Sequence, residues 1–408
     1  MDMHIAIVGG GPAGVFAALA RRELGPDIPV TLFEASDQPL RKVLLSGGGR
    51  CNLTNATFDP RALSECYPRG GKALIGPFSR FGPRETMAWF EAHGVALTVE
   101  DHGRVFPRSG RARSVVDCLS GEAIRLGVDM RCGQSIRRVV ADESSGGFRV
   151  EPADSEAMHC TQVLLAMGGG PREGYSLAEE LGHTVEPPVP SLFGLRLQDP
   201  SLVALAGLAV DDAQLTIAGT RLRSRGAVLI THEGLSGPAV LTLSSLAARE
   251  LHHAGYEAEL TICWLPRLSS EELHEQLASR RTTTPRAIVN ATTVPPLPRR
   301  LWQLLVQRAG IADTLQWANL SSRHLRDLAR MLTACRVQVT GRSVHKEEFV
   351  TCGGVRLGEV DLRTMQSRRR PGLFFAGELL DIDGPTGGYN LQAAWTTGRL
   401  AGQAMATQ

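Results

Sequence analysis

The chain has 408 residues, 43% of them apolar, and a formal net charge of +2, enough for a large core and for more than one typical domain. Near-balanced charge neither requires nor excludes a polyanionic partner, because a local patch matters more than the total. Eight scattered cysteines with no C-x-x-C pair and no Cys/His spacing for zinc argue against a metal site and fit a reducing cytoplasm. No apolar run has transmembrane length, since even GAVLITHEGLSGPAVLTL is broken by His232, Glu233, its glycines and Pro238. The apolar N-terminus is too short for a signal peptide and lacks a basic leader, so a cytoplasmic chain with no membrane partner is expected.

The first element is an apolar strand running into a glycine-rich turn, HIAIVGGGPAG, with a helix expected from about Ala13 to Leu24. Gly9 allows the tight turn, Gly11 lets a pyrophosphate approach the backbone, and Gly14 lets the helix pack on the strand. Pro12 and Ala13 open the helix whose free N–H groups and positive end suit an anion. The next strand, VTLFEA, ends at Glu34, an acceptor for ribose hydroxyls whose charge would repel a 2′-phosphate. The pattern therefore fits FAD or NAD and disfavours NADP.

A long loop follows from Leu40 to Thr57. Its segment Ser46 to Asn52 holds Gly47, Gly48 and Gly49, which is unfavourable in backbone entropy unless something must come close to the main chain. A flat flavin ring is such an object. Lys42 or Arg50 would meet its phosphates or electron-rich edge, and Asn52 and Thr54 offer hydrogen bonds; a solvated Ω-loop is the alternative. Helices are expected near Pro83–His93 and Arg111–Leu126, and strands around Asp129–Cys132, Ser135–Val140, Phe148–Glu151 and Gln162–Met167.

The stretch EPPVPS marks a boundary, beyond which LFGLRL, AVDDAQLTI, AVLITH and ELTICWL read as a small sheet or barrel. Helical patterns come next at about Ser270–Arg280, Arg299–Ala309 and Ser321–Ala334, and the nucleotide fold resumes near Val350. The last strand, LFFAGE, leads through Gly387 and Gly388 into a helix from about Asn390 to Met405. Its positive end would face the flavin edge on which negative charge gathers, unless the glycines only cap a packed helix. Glu378 and Asp383 read as carboxylates for ribityl hydroxyls or as solvated loop acids.

The segments IVGGGPAG, KVLLSGGGRCNLTN, THEGLSGPAVL, VTCGGV and GELLDIDGPTGGYNLQAAW resemble the YhiN/BaiN-type flavoprotein family, which includes enzymes called aminoacetone oxidases. The resemblance spans the chain and implies an α/β protein: a Rossmann-like FAD-binding domain interrupted by a β-rich, barrel-like subdomain and a helical one. The boundaries read as 1–189 and 341–408 for the FAD domain, 190–266 for the β-rich insertion and 267–340 for the helical one. It further implies that Gly9, Gly11, Gly14 and Glu34 hold the ADP half of FAD and that Lys42 with the Ser46–Asn52 loop lies beside the flavin. Met167 and Gly168 close over the dinucleotide, while Gly377, Glu378, Asp383, Gly387, Gly388, Tyr389, Asn390 and Leu391 form the C-terminal flavin motif. One departure is that LLAMGGG runs through Pro171-Arg172-Glu173 directly to Gly174-Tyr175, without the longer glycine- and serine-rich stretch of many relatives.

No second dinucleotide fingerprint exists, because Gly168, Gly170 and Gly174 have the wrong spacing. NADPH or NADH would therefore act as a transient reductant against the flavin face. The resemblance implies reduction of conjugated C=C bonds in steroid-like compounds, dihydrouridine formation in ribosomal RNA, or amine oxidation that releases hydrogen peroxide. The partner is thus a small-molecule substrate or a uracil base in ribosomal RNA. The first two reactions need an acid for the α carbon, and Cys51, Asn52 and Tyr389 are the candidate catalytic residues. His232 is a further candidate acid, and Cys51 reads as a small buried side chain more readily than as a catalytic one. Arginine runs at Arg280, Arg281, Arg286, Arg299 and Arg300 and at Arg368 to Arg370 hint at RNA, although solvated charge also explains them. A flavin-propped protein that binds RNA without catalysis completes the alternatives.

Overall fold

The computed structural model describes residues 3–142, 146–170, 172–293, 296–343 and 350–407, and Pro171 of the shortened stretch lies outside them. The chain forms two compact units, residues 1–190 with 347–408 and residues 191–346.

The first unit is built on a sheet whose parallel strands lie in the order Leu373–Phe375, Gln162–Leu165, Ile5–Val8, Val30–Glu34 and Asp129–Cys132. The first four are mostly apolar and buried at every position but Glu34, as expected of parallel strands covered on both faces. The opening helix, Pro12–Leu24, connects the first two strands of the chain. The closing helix, Tyr389–Ala406, lies against it in backbone contact. A Cβ on Gly398 would stand 2.3 Å from the Ala13 carbonyl oxygen, and one on Gly402 would stand 2.2 Å from that of Ala17. Two glycines four residues apart, facing two alanines four apart, thus bring the ends of the chain together.

Several elements of this unit have no counterpart in the sequence reading. The Leu40–Thr57 loop contains a short helix, Arg41–Leu45, and ends in the strand Thr54–Asn55, which pairs with Arg104–Pro107, itself paired with Leu97–Val99. Two helices follow, Pro60–Glu65 and Gly71–Arg80. The first is only six residues long, although Asp59 caps it by accepting from Ala62 N–H (2.8 Å). The second starts beside Gly70 at φ +74° and contains Pro77, both breaker signals. EPPVPS is not only a boundary, for Val185–Ser191 is a strand paired with the returning strand Val350–Val355.

The second unit carries a closed six-stranded barrel in the order Leu195–Leu197, Gly234–Ser236, Arg223–Ile230, Ala209–Ile217, Glu257–Cys263 and Cys335–Arg342. The last strand alternates buried and open positions and lies in the stretch read as helical, so the barrel is closed from both sides of the helices. Those helices are Ser270–Thr283, Arg299–Arg308 and Ser322–Thr333, and Trp302 and Trp317 are fully buried in this part of the chain. No described helix is long and apolar enough to cross a membrane.

Candidate functional site

The glycines of the opening turn divide by what faces them. A Cβ on Gly9 would meet the Ala166 carbonyl oxygen at 2.5 Å, and one on Gly14 the Gly9 carbonyl oxygen at 2.0 Å, so both are fixed by packing. Nothing lies within 4 Å of the corresponding point on Gly11. The opening helix has Pro12 at its start, no side-chain cap and no acid in its first turn, which leaves its positive end for an anion. Glu34 accepts from Gly10 N–H (2.8 Å), Ser36 N–H (2.9 Å) and Ser36 Oγ (2.6 Å). A carboxylate has about four acceptor positions, so room for a hydroxyl remains.

Residues from distant segments meet around Gly168, which has φ +75°. Lys42 Nζ bonds Glu378 Oε2 at 2.9 Å, and a Cβ on Gly168 would lie 3.7 Å from the one atom and 3.9 Å from the other. Glu378 Oε1 accepts from Thr351 N–H (2.7 Å), and Thr351 donates its hydroxyl to the Gly169 carbonyl (2.7 Å). Met167 sits against the Gly9 turn, and Gly377 N–H donates to Thr397 Oγ1 (2.9 Å) beside Ala13. Glu378 is thus already bonded to Lys42 and to Thr351 of the VTCGGV segment, a residue to which no role was assigned in the sequence.

In the Ser46–Asn52 loop, Gly47, Gly48 and Gly49 all have positive φ, and the points where Cβ atoms would stand on Gly48 and Gly49 face open space. Ser46 turns its hydroxyl to the Val43 carbonyl (2.8 Å). Arg50 departs from the expectation that it meets cofactor phosphates: it lies over the Phe106 ring at 4.1 Å and pairs with Glu100. Cys51 is wholly buried, and burial, opposed by a Ser46 hydrogen bond, pushes its thiol up to about 12. A side chain closed off inside the core is placed for packing, not for proton delivery.

The end of the same loop is joined to the start of the closing helix. The Asn52 carboxamide accepts from Gly388 N–H (3.2 Å) and donates to the Thr54 carbonyl (3.1 Å). Asn55 Nδ2 donates to the Gly387 carbonyl (3.2 Å), and Trp395 Nε1 donates to the Leu53 carbonyl (3.0 Å). Thr54, Gln392, Thr86 and Thr396 form a buried chain of hydrogen bonds behind this junction. Its visible sign in the sequence is Gln392 and Thr396, four residues apart on one face of a largely apolar helix.

Tyr389 is the first residue of that helix. Thr57 and Cys66 lie beside its phenol, and burial first, then Cys66, holds it above its ordinary value. Tyr67 packs edge-on against the ring, with centroids 5.9 Å apart, and donates its hydroxyl to the Tyr389 carbonyl (2.7 Å). The Asn390 amide accepts from Gly384 N–H and donates to the Gly384 carbonyl, each at 2.8 Å, and so braces the preceding loop, while Leu391 packs on the core. Asp383 departs from its reading as a ribityl-binding acid, because its carboxylate is fully buried in a two-point pair with Arg69. Burial alone would lower the Arg69 guanidinium; Asp383 outweighs it and raises it. His232 lies exposed in the second unit. Among the described residues no group of three or more His, Cys, Asp or Glu side chains could hold a metal.

Open backbone at Gly11, Gly48 and Gly49, a helix start without a cap and an acceptor at Glu34 fit a flat dinucleotide cofactor. FAD is the group that these residues would hold. A family model described as the HI0933-like protein Rossmann domain matches residues 3–404. The chain is 31% identical over 416 residues to a 3-dehydro-bile acid delta(4,6)-reductase of Clostridium scindens, covering 99% of both chains. It is 32% identical to a ribosomal RNA dihydrouridine synthase of Escherichia coli, over 96% of this chain and 95% of the other. The solved 3-ketosteroid delta1-dehydrogenase of Sterolibacterium denitrificans shares the fold, with a TM-score of 0.52 and 11% identity over 99% of each chain. The chain belongs to the HI0933-like Rossmann family of FAD-dependent oxidoreductases, in agreement with the resemblance seen in its motifs.

Proposed function

We propose that this member of the family reduces a carbon–carbon double bond conjugated to a carbonyl, with NADPH or NADH as the transient reductant. The names of both relatives above describe such a reduction, in a steroid ring system and in uracil. FAD, when bound, supplies the hydride to the β carbon. The chain's own residues bind, orient and supply the proton. The carrying observation is the bonded junction of Asn52 with Gly388 and Asn55 with Gly387, which fixes Tyr389, a phenol kept protonated, at the positive end of the closing helix. Tyr389 is the proton donor to the α carbon, with Thr57 and Cys66 as its polar neighbours. The eight free cysteines fit a cytoplasmic setting.

Anaerobic stopped-flow absorbance tests this reading in two halves. NADPH or NADH should bleach the flavin band, and a conjugated enone or a uridine-containing RNA should restore it. Tyr389→Phe should slow restoration by about 10²–10⁴-fold while bleaching, which needs no proton from the phenol, keeps its rate. With the wild type, restoration should not fall off at about pH 10, the ordinary phenol value, because the group stays protonated beyond it. No bleaching by either nucleotide, or peroxide released from a primary amine without nucleotide, would sink the proposal.

A further inference from the structure

Next to the open glycines of the flavin loop stands a feature for which the chemistry above has no use. Residues Arg108 to Arg113 turn from the strand Arg104–Pro107 into the helix Ala112–Arg125, and Ala112 N–H bonds the Gly49 carbonyl at 2.8 Å. The turn is pre-formed: Gly110 N–H donates to the Pro107 carbonyl (2.9 Å), and Ser109 Oγ and Ser114 Oγ are bonded at 2.8 Å. Arg108, Arg111 and Arg113 are exposed, as is Arg41 on the short helix that packs on the same longer one. Among the described residues no carboxylate lies within ion-pair distance of any of these four.

Most of the arginines picked out in the sequence runs behave differently, although Arg286 and Arg299 are exposed and likewise pair with no described carboxylate. Arg368 and Arg370 donate to the carbonyls of Val360 and Leu181, and Arg369 donates to that of Gly182 and pairs with Glu359. Arg281 donates to the Leu320 carbonyl, Arg300 to that of Ala204 (3.0 Å), and Arg280 lies over the Trp317 ring at 5.7 Å. These side chains brace the fold. In a chain whose net charge is only +2, four unbraced cations beside one loop are a local concentration of charge.

We propose that this arginine rim docks the phosphates of a single-stranded RNA whose uracil is the acceptor reduced in the adjoining site. It rests on the reductive reading above. Cations spaced along a turn, a helix and a neighbouring helix match a backbone of repeating charges, whereas a steroid acid offers one carboxylate at most. An aromatic surface is available as well: Phe58, 44% exposed, follows Thr57, which lies beside Tyr389, and carries the Arg84 guanidinium 4.7 Å from its ring centre. Exposed rings of this kind stack single-stranded bases.

The test titrates FAD-loaded protein into a short, fluorescently labelled uridine-rich RNA at several salt concentrations and follows anisotropy. Replacing Arg108, Arg111 and Arg113 together by Gln should weaken binding about tenfold or more and lower the slope of log affinity against log salt by about two, three contacts at about 0.7 each. The matching triple Lys variant should bind RNA as the wild type does, which separates lost charge from misfolding. Arg280→Gln with Arg286→Gln should also bind normally. Equal affinity and slope for the Gln triple variant and the wild type would overturn the rim. So would a rise in KM for NADPH with RNA binding intact, since the rim would then hold the reductant. Rim-dependent RNA binding without any flavin bleaching would overturn the reductive reading and leave the rim standing.

Discussion

The two units are held together by different means. In the nucleotide-binding unit the decisive contacts are backbone on backbone, with Gly398 and Gly402 against Ala13 and Ala17, and Gly388 against Thr54, reinforced by the buried pair Arg69–Asp383 and the Thr54–Gln392–Thr86–Thr396 chain. In the inserted unit Trp264, Trp302 and Trp317 are fully buried beside a barrel built on alternation; large rings such as Phe16 and Trp395 fill the first unit's core as well, so the difference lies in the close glycine contacts that join its two end helices. Side-chain packing tolerates adjustment, but backbone contact does not. Binding a flat cofactor requires exposed main chain held in place, and the first unit is built that way.

Substitutions that separate folding from flavin binding would break or sharpen this contrast. The largest effect should come from Arg69→Met, which leaves the Asp383 carboxylate buried without its guanidinium; about 3–5 kcal/mol of stability should disappear together with the flavin absorbance, measured by denaturation and by spectrum. Trp302→Ala removes a fully buried ring and its bond to the Val289 carbonyl (2.9 Å). The loss should be close to as large, about 3–5 kcal/mol, yet the flavin band should survive in the folded fraction. If the band vanished in both, the contrast between the units would fail.

Gly11→Ala should do the reverse. Its φ of −77° suits any residue and nothing occupies the space in front of it, so apoprotein stability should stay within about 0.5 kcal/mol. Calorimetric titration should nevertheless show FAD affinity reduced about tenfold or more, because the methyl group fills the approach to the backbone. The smallest effect belongs to Asp212→Asn on the barrel. Hydrogen bonds from Arg225, then Arg267, hold that carboxylate well below its ordinary range. Its contribution is therefore present above about pH 3.9 and lost as the pH falls further. The partner arginines are largely in solvent, so about 1 kcal/mol at most is at stake, visible as a flatter acid limb in thermal melts.

Local chemistry made much of this legible in advance. The strand Asp129–Cys132, the three helices of the insertion and the strand–turn–helix of the fingerprint follow from periodicity and caps within single segments. The strand Cys335–Arg342 escaped because both its partner strands, Leu195–Leu197 and Glu257–Cys263, lie far earlier in the chain, and the helix Gly71–Arg80 because a proline and a left-handed glycine mask it. Arg50, Cys51 and Asp383 stood in the right motifs, yet Phe106 with Glu100, the core and Arg69 claim their side chains.

By itself, the order of amino acids determined the longer periodic elements, the family and the places where the main chain is bare, since glycine spacing and apolar period are properties of neighbouring residues. Which bare stretches face open space, which arginines brace carbonyls and which stand without an acid, and which phenol stays protonated were decided only by tertiary structure. Burial, electrostatic pairing and steric contact depend on residues far apart in the chain, and those distances exist only once it has folded.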